Sequence, residues 1–306
     1  MKKIFITLTA LATIAACNKA EIIETPEGEA IAFANAFVDN ATKAGEAKDP
    51  SFNGEDELTN FQVWGTANGV AIFAGDEVEG TVGENSVWTC EKKQYWVSGV
   101  NYDFAAVANG TVASLSDGLP ATISYTANGT SDLIYAESMD VVGQAAGKND
   151  LVEFTFAHLL AKAKFTVETS TDVEEYSYEV TNIKITNAYA SGTYDIAQNK
   201  WTGVAGSGQA FSNIIVSSTD NSQECDEEKL LIPLETVTVS YDVALKYGSD
   251  VIWSQTGNTV TPSGLKLEAA KSYNFKITLN IGEEIKFSVV EDPTWTAWPS
   301  EPELAL

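Results

Sequence analysis

The sequence predicts an all-β protein, with two antiparallel β-sandwich domains that follow an N-terminal export signal. From residue 58 onward, apolar and polar residues alternate over long stretches, which is typical of half-buried strands in antiparallel sheets. The 306 residues are enough for about two domains. With 44% hydrophobic and 20% charged residues, the composition is that of a globular chain with its own core.

The first residues have the pattern of a bacterial lipoprotein signal. Lys2 and Lys3 precede a short apolar run, residues 4–14, that is too short to span a bilayer. Small residues then lead to Ala16 and Cys17, as in a lipobox. We predict cleavage between Ala16 and Cys17 and acylation of the Cys17 thiol, which gives a stable membrane anchor when several chains are attached. An ordinary signal peptide is the alternative.

The charge balance excludes several classes of function. All 18 basic residues are lysines, and with 43 acids the net charge is −25. Removal of residues 1–16 leaves 16 lysines against 43 acids, a net charge of −27. Such a surface repels nucleic acid. A single histidine argues against His-dependent catalysis and His-rich metal sites, so we expect no enzyme activity and no cofactor.

The mature chain divides into three parts. Residues 17–30 are polar and form the expected tether, residues 31–147 the N-terminal sandwich and residues 148–306 the C-terminal sandwich, with a linker-like stretch at Gly143–Asn149. Asn-Gly pairs predict tight turns, and Lys92-Lys93 resembles a hairpin turn between two aromatic strands. Clear alternation predicts strands that contain Val237–Tyr247, Tyr273–Ile281 and Ile285–Val289.

An early strand precedes a long polar loop. Ile31, Phe33 and Phe37 alternate with small or polar residues, which predicts a half-buried strand over residues 31–38. The following residues, 39–57, carry Lys43 and have no strand or helix pattern.

The stretch from Leu151 to Lys164 fits either an amphipathic helix or a strand. We favour a strand with a β-bulge near Ala157–His158, which would place His158, Lys162 and Lys164 on one side. His158 stands alone, without a nucleophile motif nearby, so we interpret it as structural.

Other candidate sites have weaker support. The acidic run 220–228 lacks the spacing of a calcium loop and is interpreted as a solvated loop. Cys90 and Cys225 lie far apart in different sequence contexts, so we do not expect a disulfide, although export permits one. Seven tryptophans and eleven tyrosines leave glycan stacking open, although core positions are the usual place for them in a sandwich.

Several segments in order resemble the fimbrillin-like lipoproteins of Bacteroidales. After the lipobox come Asn40-Ala41-Thr42-Lys43-Ala44, similar to the family's processing region, and Asp132-Leu133-Ile134-Tyr135-Ala136. The segment Phe156-Ala157-His158-Leu159-Leu160-Ala161-Lys162 is similar to the family's F-x-H-x-L-A-K segment, and Ser272-Tyr273-Asn274-Phe275 to its late strand.

The resemblance implies two transthyretin-like domains and export as an outer-membrane lipoprotein to the cell surface. It further implies trimming by a trypsin-like protease between Lys43 and Ala44, where the best-known members have arginine. Such subunits polymerise with other fimbrial subunits by strand exchange, as stalk, tip or anchor, and serve cell adhesion. A monomeric glycan-binding surface lipoprotein is the alternative function.

The expected exchange follows from simple energetics. Burial of Ile31, Phe33 and Phe37 stabilises the fold by on the order of 5–9 kcal/mol, a large part of a typical domain's stability. Loss of this strand leaves a gap and unpaired edge amides that a neighbour's strand can fill. We expect the donor in the tail 283–306, with Ile285, Phe287 and Val289 as its apolar face. The alternative is that 285–289 stays in its own domain as an ordinary last strand.

Overall fold

A computed structural model describes residues 28–34, 37–38, 51–52, 56–58, 60–80, 87–170, 173–206, 208–292 and 304–305. The described residues contain strands and turns but no helix, and accordingly no helix long and apolar enough to cross a membrane. The first strands are β1 (Phe37–Val38), β2 (Ser51–Phe52), β3 (Asp56–Glu57), β4 (Asn60–Ala67), β5 (Val70–Glu79), β6 (Thr89–Cys90), β7 (Asn101–Ala108), β8 (Thr111–Ser116), β9 (Leu119–Thr126), β10 (Ile134–Val142) and β11 (Thr155–His158). The others are β12 (Ala161–Glu168), β13 (Tyr176–Ile185), β14 (Ser191–Asp195), β15 (Lys200–Ala205), β16 (Gln209–Ala210), β17 (Ile214–Ser217), β18 (Ser222–Glu224), β19 (Lys229–Leu231), β20 (Val239–Tyr247), β21 (Asp250–Val260), β22 (Ser272–Thr278), β23 (Lys286–Asp292) and β24 (Leu304–Ala305).

The all-β prediction is confirmed, and most strand pairs are antiparallel. Two pairs, β1 with β11 and β12 with β22, are parallel instead. Parallel neighbours need a long crossover between them, so alternation within single strands does not reveal such a pairing.

The largest sheet has seven strands in the order β1-β11-β10-β7-β4-β5-β6. Its inward face encloses an aromatic core that includes Phe61, Phe73, Phe104, Phe154 and Phe156. Its outward face packs on a four-stranded sheet of order β15-β14-β9-β8, with Trp64 and Val107 against Ile123 and Tyr194.

The hydrogen-bonded sheets cross the predicted boundary at residue 148. Strand β11 pairs with β10, and β14 pairs with β9 from Thr126↔Ser191 to Thr122↔Asp195. Residues from both predicted domains therefore share two sheets. The division into two transthyretin-like domains stays a prediction.

Strands β2 and β3 pair only with each other, and the remaining strands form a sandwich around a second core. One sheet has the order β18-β12-β22-β23-β24, with β19 also on β12, and the other has the order β16-β13-β20-β21, with β17 also on β13. Inward residues of β12, among them Phe165 and Val167, meet those of β20, among them Tyr241 and Val243. Period-two alternation in these strands places every second side chain in this core.

The ambiguous stretch after Leu151 is a strand, as predicted, but the bulge interpretation is wrong. Strand β11 ends at His158 in the seven-stranded sheet, and β12 starts at Ala161 in a different sheet. The change of phase arises because the chain passes between sheets, with Leu159 and Leu160 buried at the crossing. Lys162 and Lys164 therefore share one face of β12, as predicted, whereas His158 belongs to β11.

The predicted hairpin at Lys92-Lys93 is also wrong. The residues on its two sides pair with an earlier part of the chain, Trp88 with Phe33 and Tyr95 with Ala30. The Asn68-Gly69 turn is confirmed, since it joins β4 to β5 with φ of 48° and 78°.

Candidate strand-exchange site

The predicted strand over residues 31–38 is only partly formed among the described residues, with isolated bridges at Phe33 and the short strand β1 at Phe37–Val38. The stretch nevertheless bonds to two other parts of the chain. We call residues 28–34 and 37–38 the closure segment. On one side Phe33 N donates to Trp88 O at 3.0 Å, and Trp88 N donates to Phe33 O at 2.9 Å. On the other side Ala34 N donates to Val152 O, and Val152 N donates to Ala32 O, both at 2.9 Å.

These two sides are the two ends of the seven-stranded sheet. Trp88 directly precedes β6, and Val152 lies just before β11, whose Thr155 pairs in parallel with Phe37. The closure segment, which contains β1, therefore lies between β11 on one side and the residue before β6, at the opposite end of the sheet, on the other. Closing a sheet on itself removes the exposed edges that invite pairing with another chain.

Phe33 is the centre of the core inside the closed sheet. Its side chain is fully buried, and its ring stacks on Phe154 with the ring centroids 5.7 Å apart. Its ring centroid also lies 6.0 to 6.2 Å from the rings of Phe61, Phe73 and Phe104. Ile31 is buried in the same core. Removal of the segment would expose these rings and leave the amides beside it without partners.

The other predicted processing positions lie outside the described residues. This holds for Ala16 and Cys17, the expected cleavage and lipidation site, and for Lys43 and Ala44, the expected protease site. Phe37 is described only by its backbone, which pairs with β11.

The predicted donor residues occupy a strand of their own sandwich. Strand β23 pairs with β22 from Thr278↔Lys286 to Ser272↔Asp292. Val289 is buried, and the ring of Phe287 lies 6.1 Å from that of Phe275. Ile285 packs against the same core from a partly buried position. Residues 285–289 thus stay in their own sandwich, the alternative that the sequence left open, although β24 follows β23 and pairs with it. Donation by these residues requires β23 to leave its sheet.

His158 is paired inside the protein. Its Nδ1 contacts Asp132 Oδ2, and both side chains are buried. Burial raises the pKa of the Asp132 carboxyl, while the nearby His158 and Lys162 oppose that shift. The other oxygen, Asp132 Oδ1, has no hydrogen-bond partner among the described residues. The two buried polar side chains pair with each other beside the pairing of β11 with β10, which fits a structural role for His158.

The acidic run is not a free loop. Strand β18 within it pairs with β12, and Glu224 and Glu228 form ion pairs with Lys164 and Lys162 at 2.7 and 2.6 Å. In the described part of the chain, no group of three or more His, Cys, Asp or Glu side chains could hold a metal ion.

The cysteines and tryptophans occupy mostly interior positions. Cys90 and Cys225 are both free and buried, and they lie in separate cores. Of the tryptophans in the described residues, only Trp253 is largely exposed, at 44%. It borders an apolar groove of about 390 Å³ between β21 and the turn before β23.

Sequence reasoning missed the residues that receive the closure segment. Trp88 and Val152 are ordinary members of apolar runs, and only the tertiary fold places them on either side of Phe33. Glu29 was assigned to the tether, yet its carboxylate bonds to Gly147 and Asn149. No local pattern in the sequence signals this contact.

Solved structures show which class of protein has this fold. A fimbrial protein from Bacteroides vulgatus superposes with a TM-score of 0.64 at 14% identity, over 87% of this chain and 99% of that one. A proposed cell adhesion protein from Bacteroides ovatus does so with a TM-score of 0.55 at 14% identity, over 89% and 99%. At such identities the likeness shows the fold alone. No curated protein matches the sequence significantly.

The sequence itself supplies the assignment to a family. The model of the fimbrillin-like family matches residues 42–292, most of the chain. The chain therefore belongs to the fimbrillin-like family. This confirms the resemblance drawn from the sequence, and membership implies a fimbrial or cell-adhesion role at the cell surface.

Proposed function

We propose that this protein is a structural fimbrial subunit, made as a lipoprotein acylated at Cys17 and assembled by strand exchange after a cut between Lys43 and Ala44. The observation that carries the proposal is the closure segment, whose residues bond to both ends of the seven-stranded sheet. A segment in this position can be exchanged for a similar strand from a neighbour without any other change in the sheet.

The energetics support retention before cleavage and replacement after it. Burial of Ile31 and Phe33 is worth about 3–6 kcal/mol together, against about 5–15 kcal/mol for a whole domain. Before the cut, the segment is covalently attached to the domain, and this burial energy is enough to keep it bound. Once cut, it becomes a separate ligand that another strand can displace, and head-to-tail filling of the gap extends into a filament.

We place the donor in the C-terminal tail, residues 283–306, and two truncations divide it. Deletion of 293–306 removes β24, which pairs with β23 at Val289↔Leu304, and leaves β23 with its pairing to β22. Deletion of 283–306 removes β23 and destabilises the second core. If the shorter deletion abolishes filaments while the subunit stays folded and exported, the donor follows β23. Normal filaments with both deletions would exclude a C-terminal donor.

Processing is tested by N-terminal sequencing of protein recovered from the cell surface. We expect a start at Ala44 in assembled protein and an acylated Cys17 in the precursor. A Lys43→Gln variant should accumulate as uncut monomer, whereas a Lys48→Gln variant in the same loop should assemble normally. Filaments formed by uncut K43Q protein would contradict the proposal.

We propose a non-enzymatic protein, in keeping with its membership of the fimbrillin-like family. The alternative of a monomeric glycan binder depends on exposed tryptophans, and Trp253 beside its groove is the one described candidate. Affinity electrophoresis in polysaccharide gels separates the two functions. We expect equal mobility shifts for the wild type and Trp253→Ala, whereas a glycan site at Trp253 would retard the wild type alone.

A further inference from the structure

Glu29 ties the start of the closure segment to the loop between β10 and β11. Its Oε2 accepts hydrogen bonds from Gly147 N at 3.1 Å, from Asn149 N at 3.3 Å and from Asn149 Nδ2 at 3.2 Å. Its backbone carbonyl accepts a further bond from Trp96 N at 3.0 Å. Glu29 thus connects the closure segment to two separate parts of the chain, the loop that contains Gly147 and Asn149 and the stretch at Trp96.

The loop that receives Glu29 is held in shape by its own hydrogen bonds. Asn149 Oδ1 accepts from Gln144 N at 2.6 Å, and Lys148 N donates to Ala145 O at 3.0 Å. Gly147 has a φ of 74°, a conformation that glycine adopts without strain. The loop therefore presents two backbone amides and one side-chain amide to a single carboxylate oxygen.

These bonds differ in kind from the other contacts of the segment. Ile31 and Phe33 hold it by apolar burial, which any matching strand could reproduce. Hydrogen bonds to a carboxylate are stronger than those between neutral groups and depend on one particular side chain. A donor strand without a carboxylate at this position can occupy the space left by the closure segment, but it cannot form the hydrogen bonds that Glu29 makes.

Glu29 lies at the end of the closure segment that is far from the proposed cut. The proposed cut lies beyond the other end of the segment, between Lys43 and Ala44. Cleavage there removes none of the Glu29 contacts, so they still hold the cut segment on the domain.

We propose that Glu29 is a positioning residue that latches the closure segment and sets the rate at which it leaves after cleavage. This inference rests on the proposed strand-exchange function. It assigns to the Glu29 carboxylate the control of timing, while apolar burial supplies most of the binding.

The test uses the full mature chain with Cys17→Ser, a specific protease site at residues 43–44 and a fluorophore at the N-terminus. After the cut, excess unlabelled peptide spanning residues 28–43 is added, and release of the labelled segment is followed by anisotropy. We expect Glu29→Ala to accelerate release by about 10-fold or more, because three charge-assisted bonds are lost. Glu29→Gln, which keeps one acceptor oxygen, should show a smaller acceleration.

Two control variants separate the latch from general destabilisation. Glu153→Gln makes the same change of charge at an exposed position just before β11. Val243→Ala opens a cavity in the second core, away from the segment, and lowers the free energy of unfolding. Both should release the segment at the wild-type rate.

The outcomes distinguish the latch from the function on which it rests. If every variant releases the segment and forms oligomers at the wild-type rate, the latch is excluded and strand exchange stands. If the cut segment never leaves the wild type or Glu29→Ala, and no oligomers form, both proposals are overturned. If Val243→Ala accelerates release as much as Glu29→Ala does, Glu29 only stabilises the fold in general, and the latch is excluded.

Discussion

Phe33 and Trp88 exchange both of their backbone hydrogen bonds, with N–O distances of 3.0 and 2.9 Å. Both side chains are fully buried in the same core. This pair joins the N-terminal end of the described chain to the end of the seven-stranded sheet. Because Phe33 also bridges to Val152, loss of the closure segment would remove backbone bonds on both of its sides at once.

Phe33 should be the most sensitive position of the closure segment. We expect Phe33→Ala to lower the free energy of unfolding by about 3–5 kcal/mol, as for other buried phenylalanines. Phe33→Leu should cost less and keep the protein folded, so that urea denaturation can rank the two variants. Val70→Ala, at a position 68% exposed, serves as the control with little effect. Equal stability of all three variants would show that the segment adds nothing to the fold.

The buried Asp132 should make stability depend on pH. Because burial raises its pKa, the folded state favours the protonated carboxyl. This contribution is fully present below the unfolded pKa of about 4 and is lost as pH rises through the folded pKa. Asp132→Asn should therefore become more stable relative to the wild type as pH rises from 4 to 8 in urea titrations. Asp117→Asn in an exposed turn is the matched control, and a difference for Asp132→Asn that stays constant with pH would refute the expectation.

Tyr273 should contribute to alkaline unfolding. Burial raises its pKa to about 12, and its hydroxyl accepts a hydrogen bond from Glu268 N at 2.9 Å. The stability gained from the neutral phenol is present below the ordinary pKa of about 10 and is lost as pH rises to about 12. Absorbance at 295 nm should show tyrosines that titrate late in the native protein. Tyr273→Phe should lose less stability than the wild type between pH 9 and pH 11, and parallel losses would contradict this assignment.

The two remaining thiols should be unreactive in the folded protein. Burial raises the pKa of both Cys90 and Cys225, so little thiolate forms at neutral pH. In a Cys17→Ser variant we expect no rapid reaction with Ellman's reagent under native conditions and two reactive thiols in urea. A single fast thiol, or fewer than two in urea without reductant, would indicate exposure or a disulfide.

Part of the candidate site could be predicted from the sequence because it depends on local periodicity. The alternation of Ile31 and Phe33 predicts a strand with one buried face, and both residues are buried. Their partners could not be predicted in the same way, because Trp88 and Val152 are distant in sequence and resemble many other apolar residues. The same limit explains why Lys92-Lys93 resembled a hairpin turn. The stretches on its two sides pair with residues 30–33 and not with each other, and local patterns do not reveal this.

The sequence by itself determined the all-β class, the acidic charge, the alternating strands and the likeness to fimbrillin-like proteins, since these follow from composition, period-two patterns and short motifs. Only the tertiary structure decided that β11 and β12 belong to different sheets, that strands from both halves share a sheet, and that Glu29 bonds to Asn149. The physical reason is that strand pairing depends on backbone amides, which every residue carries. Which amides meet is therefore settled by how the whole chain closes its sheets, and not by any single stretch of it.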